Sequence, residues 1–145
     1  MSNDATPKPP AHLWIVGILS LLWGAMGCVN YVLSQIGHES VARSMTEEQL
    51  AFLEAYPAWL VACWALAVWG GLLASVLLLL RKAVAAPLFA FAFVCMLATT
   101  VRNFGFADGM EVLGGGGAGF AVVIFVVCLG QLLYARAMAA RGVLR

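Results

Sequence analysis

Hydrophobic residues along this chain fall in four long runs separated by short polar breaks. The runs cover about residues 13–36, 57–80, 83–101 and 112–135, and no charged residue lies inside any of them. Crossing ~30 Å of hydrocarbon takes roughly 20 residues of helix at about 1.5 Å rise each. Each run therefore predicts a membrane-spanning helix. A closed barrel would need ~10-residue segments of alternating polarity, and the chain has no such pattern. The predicted fold is an all-α membrane protein with four transmembrane helices in an antiparallel bundle. Residues 1–11 form a flexible cytoplasmic tail, 12–138 the transmembrane domain and 139–145 a basic cytoplasmic tail.

The breaks carry their own signals. In the longest, 37–57, Thr46 with Gln49 three residues on has the form of a capping box. Glu47 and Glu48 fill the first turn, where the helix dipole favours acids. Leu50, Leu53 and Phe52 give an apolar side, so residues 47–55 predict a short amphipathic helix lying over the bundle's outer end. "RKAVAAP" is a tight inner turn, "ADGM" an outer one, and Gly142 is the expected stop of the last helix.

Composition sharpens this picture. Of 145 residues, 63% are hydrophobic and 10% charged, against about 25% charged in an ordinary soluble domain. That leaves no polar shell for a water-facing globule. With both termini inside, Lys8, Arg81, Lys82, Arg136, Arg141 and Arg145 are cytoplasmic, and only Arg43 and Arg102 lie outside. The positive-inside rule selects this orientation. The first run is longer than a 7–15-residue signal core and reads as a span.

Helices in lipid associate through small residues that let backbones approach. Gly17, Ser20, Gly24, Gly27, Cys28, Tyr31 and Gln35 share one arc of the first span, and Gly71 lies on a similar arc of the second. Gly24, Cys28, Gly71, Gly115 and Gly119 are the predicted helix-packing residues. The four cysteines fall one per span. They lie at different depths without CxxC or Cys/His spacing, so they read as small packing residues and no metal is expected. His12 and His38 read as interface polarity.

The stretch "TTVRNFGFADGMEVLGGGGAG", residues 99–119, carries the candidate chemistry. Its glycines lack the Lys-Ser or Lys-Thr of a phosphate loop. Gly115 and Gly119 instead make a GxxxG pair, and the run is a candidate hinge. Arg102 is expected to pair with Asp108 or Glu111, or to bond to Gln35 or Asn30. Asn30, Tyr31, Gln35, Arg102, Asn103, Asp108 and Glu111 thus form a candidate outer polar cluster. It latches helices, holds a small hydrophilic ligand, or belongs to an acidic outer face that contacts a partner.

The segments "HLWIVGILSLLWGAMGCVNYV", "AYPAWLVACWALAVWGGLLASVLLLLR", "DGMEVLGGGGAG" and "LLYARAMAARGVLR" resemble the blocks of a family of small four-span alphaproteobacterial inner-membrane proteins. Members often carry the label "sugar transporter", which no catalytic or binding motif supports. They tend to have Asn at the position of Gly24 and Asp at that of Asn30, so a site resting on those positions is altered here. The resemblance implies a multi-pass protein of the bacterial inner membrane. The function expected is a non-enzymatic accessory or oligomerising bundle, with a small-solute transporter, sugar included, as the alternative. Expected partners are the lipid bilayer and a homo-oligomer or larger membrane complex. Neither a cofactor nor nucleic acid is expected.

Overall fold

The computed structural model describes residues 8–106 and 109–144. Among them are six α-helices: α1 (Ala11–Gln35), α2 (Glu39–Ser44), α3 (Glu47–Glu54), α4 (Ala58–Leu79), α5 (Ala85–Val101) and α6 (Gly109–Ala140). A π-helical turn, Arg102–Phe106, continues α5. Helices α1, α4 and α6, and α5 together with its π-turn, contain the four stretches long and apolar enough to cross a membrane. They form an antiparallel bundle in which each span packs on the next in sequence. Larger side chains also bring α1 to α6. His12 Nδ1 hydrogen-bonds the Tyr134 hydroxyl, and Trp23 lies 6.5 Å from Phe120 between ring centroids.

Local chemistry sets the helix ends. Pro10 and Pro57 are extended, and their carbonyls accept from Leu13 and Leu60 N–H (both 3.0 Å) at the starts of α1 and α4. Pro57 therefore precedes the second span rather than opening it. Helices α1, α4 and α6 close with Schellman-type turns. His38 N–H donates to Leu33 O, Lys82 to Leu77 O and Val143 to Met138 O. The residue reversing the chain has positive φ in each case: Gly37 (66°), Arg81 (59°) and Gly142 (75°). Arg81 is the unusual member, because its Cβ disfavours that region. Its Nε donates to Val143 O at 3.1 Å, which ties the strained turn to the end of the chain.

The first loop holds two helices where one was expected. The α3 capping box is formed as predicted, with Gln49 N–H donating to Thr46 Oγ1 (3.2 Å) and Thr46 N–H to Gln49 Oε1 (3.1 Å). Helix α2 was not predicted. Its cap is the His38 imidazole, which accepts from Ser40 N–H (3.1 Å).

Packing is tightest at the end that carries the chain termini. Leu13, Ala74, Leu78, Ala85, Ala86, Phe89, Ala135 and Met138 form one buried cluster there with Val143 and Leu144, each of the last two only 3% exposed. Residues 139–144 are therefore not a free tail. The last turn of α6 reaches Ala140, and Gly142 turns Val143 and Leu144 back onto the bundle.

Between α1 and α4 the small-residue stripe sets the spacing. Gly17, Ser20, Gly24 and Cys28 are buried. A Cβ on Gly24 would come 3.1 Å from Leu72 Cα, and one on Gly17 would strike Leu79 Cδ2. The Cys28 thiol donates to Val68 O at 3.4 Å. The other packing glycines behave differently. Gly71, Gly115 and Gly119 have no atom within 4 Å of a Cβ position. Gly71 instead lends its carbonyl to the Ser75 hydroxyl (2.8 Å). Gly115 and Gly119 are exposed on α6, so among the described residues their GxxxG pair contacts no partner helix.

Candidate functional site at the loop end

Two breaks in helical geometry flank the α5–α6 connection. Before it, Thr99 and Thr100 hydroxyls both donate to Met96 O (2.7 and 2.9 Å). Such back-bonding bends helices, and the π-helical turn follows at Arg102. After it, Gly114 has φ 69° and ψ −172°, a conformation essentially reserved for glycine, and kinks α6. Within the glycine run, the break in helical geometry falls at this residue.

The π-turn places Arg102 beneath α3. Its guanidinium carbon lies 5.7 Å from the Phe52 ring centroid and 5.6 Å from that of Tyr56. Both are cation–π distances. The aromatic group extends inward. Phe52 meets Tyr56 edge-on at 5.9 Å, Tyr56 meets Trp64 at 6.3 Å, and Trp64 meets Tyr31 at 5.0 Å. A chain of ring contacts thus joins four elements: the π-turn through Arg102, α3 with its following turn through Phe52 and Tyr56, α4 through Trp64 and α1 through Tyr31. Gln49 Nε2 adds a link from α3 to Val112 O at 3.4 Å.

Arg102 is therefore held by aromatic faces, and Glu111, one of its two expected carboxylate partners, makes no ion pair with it among the described residues. Glu111 is exposed, and among the described residues the ion pair is Arg43–Glu39 at 3.1 Å, inside α2. Asp108 lies outside the described residues. Asn30 and Gln35 are exposed on α1 and have no hydrogen bond to Arg102. Of the predicted cluster, Arg102 and Asn103 meet at Tyr56, and Tyr31 is linked to them only through Trp64.

Burial pushes the Tyr56 phenol above its usual pKa, and the Asn103 carboxamide and Arg102 charge beside it pull part of the way back. Asn103 Oδ1 is buried without a hydrogen-bond partner among the described residues. Phe52, Tyr56 and Trp64 escaped the sequence reading of this site. The available signal was Phe52 and Tyr56 four residues apart, the spacing that puts two side chains on one helix face.

Two open grooves flank the bundle here. One, about 570 Å³, runs along α5 and is lined by Trp59, Val94, Leu97, Ala98, Val101 and Arg102. The other, about 310 Å³, lies between α5 and α6 and includes Phe104, Met110, Ala118 and Phe125. Their walls are almost wholly apolar. The cysteines are free thiols, with Cys63 beside Cys95 between α4 and α5. No family model, curated protein or solved structure matches the chain.

Proposed function

We propose that this integral membrane protein is a non-enzymatic bundle of the bacterial inner membrane that acts by assembly, with copies of itself or as a small accessory subunit. The observation carrying this reading is the outer face of α6. That helix is the least buried of the four spans. It turns Gly115, Gly116 and Gly119 outward with nothing within 4 Å of their Cβ positions. In lipid, such a surface admits a second helix at close range. The split of Lys and Arg supports placing both termini in the cytoplasm, which reporter fusions at the two ends would check.

Counting photobleaching steps of singly labelled protein in native membrane vesicles tests the assembly. Complexes of more than one copy are expected, and Gly119→Leu shifts them toward single copies. Single copies throughout, with no co-purifying subunit, defeat the reading. The unpartnered Asn103 Oδ1 favours a second reading, a small-solute transporter acting as an oligomer. There, Asn103→Ala lowers uptake while the melting temperature stays unchanged.

A further inference from the structure

The groove along α5 has an organisation that packing alone does not require. Val94, Leu97, Ala98 and Val101 follow i, i+3, i+4, i+7 spacing and form one face of α5. From Val94 to Arg102 the helix climbs about 12 Å at ~1.5 Å per residue. That is most of one hydrocarbon leaflet, roughly half of the ~30 Å core. At the top stands Trp59, 55% exposed, at the level where tryptophan marks a membrane interface. Beside it lies Arg102, the one charged residue of the lining.

Arg102 is positioned, and among the described residues it is unspent. Phe52 and Tyr56 hold its guanidinium by their ring faces. Such contacts leave free the five N–H donors on the edge of the group. Among the described residues no hydrogen bond or ion pair uses those donors. A guanidinium at the interface with unclaimed donors matches phosphate, which it can engage with two parallel bonds. None of the described loop-end carboxylates lines the groove.

We propose that this groove is a binding site for one anionic glycerophospholipid of the adjacent leaflet. An acyl chain lies along Val94, Leu97, Ala98 and Val101, and Arg102 binds the headgroup phosphate. The site is complete within one chain, so it does not depend on assembly through α6.

Native mass spectrometry of the full-length protein in detergent tests this, with phosphatidylglycerol and phosphatidylcholine of identical acyl chains as probes. The wild type is expected to retain the anionic lipid about tenfold more strongly, because both lipids offer Arg102 a phosphate but in phosphatidylcholine the choline ammonium offsets its charge. Arg102→Gln abolishes that preference. Ala98→Phe, which fills the groove and leaves the arginine in place, lowers retention of both lipids. Arg136→Gln, at the opposite end, changes neither. Equal retention by the wild type overturns the proposal, and so does a preference that survives Arg102→Gln. Should Arg102→Gln not fold, Ala98→Phe decides: unchanged lipid retention there also overturns it. Displacement of the lipid by millimolar inorganic phosphate would assign Arg102 to a soluble anion and defeat the lipid assignment.

Discussion

One methyl group probes how α1 sits on α4. At Gly24 an added Cβ meets Leu72 Cα at 3.1 Å, so Gly24→Ala must push two backbones apart. Overpacking costs ~1–3 kcal/mol, against a helix-propensity gain of up to ~1 kcal/mol. A net loss of about 1 kcal/mol is expected, read as a lower melting temperature in detergent. Gly130→Ala is the control, because Gly130 faces open space on α6. It should melt at the same temperature or higher. At Tyr56 the relevant variable is pH. The folded protein holds the phenolic proton to higher pH than the unfolded chain, for which the usual value is 10.0. The associated stability is complete below pH 10 and is lost as pH rises through the folded-state pKa. Melting curves above pH 10 should fall more steeply for the wild type than for Tyr56→Phe. The identity of these residues was legible in the sequence, but the neighbours that give them their effects were not. Gly24 was marked as a packing residue by its place on a small-residue arc. Nothing in the chain marked Gly115 and Gly119 as lacking a neighbour, since identical GxxxG spacing serves contacts within and between chains.

At the scale of elements, the α3 cap and the Gly114 kink control how the loop end is built. Thr46→Ala removes one half of the capping box and costs about 1 kcal/mol locally. Hydrogen exchange should speed up across Glu47–Glu54, while amides in the core of α4 stay protected. Arg102 should also become more mobile, because α3 carries Phe52. Gly114→Ala forces a Cβ into a conformation costing about 1–3 kcal/mol, so the helix either straightens or melts locally. A changed exchange pattern confined to residues 109–119 would register it. The α3 helix was readable because its cap, first-turn acids and apolar side all point the same way. The α2 helix was not, since its cap is a histidine side chain, outside the usual Ser, Thr, Asp and Asn signals. The π-turn was equally hidden. It arises where Thr99 and Thr100 compete for the Met96 carbonyl, and paired threonines elsewhere continue ordinary helices.

For the whole molecule, the end of the chain is part of the core. Val143 and Leu144 pack with Leu13, Leu78 and Phe89, so Leu144→Ala should cost about 2 kcal/mol, the low end for a buried leucine. Thermal unfolding in detergent measures it; an unchanged melting temperature would contradict this packing. The sequence alone determined that the chain crosses a bilayer in four helices. That follows from apolar length and the absence of charge, properties each segment possesses by itself. It also determined the α1 packing stripe and the stop at Gly142, because periodicity and a glycine past a helix end are local signals. Only the tertiary structure decided that Arg102 rests on Phe52 and Tyr56. It alone decided that Val143 and Leu144 return to the bundle and that the α6 glycines face outward. These outcomes depend on which distant residues share a space, and no short stretch of chain carries that distance.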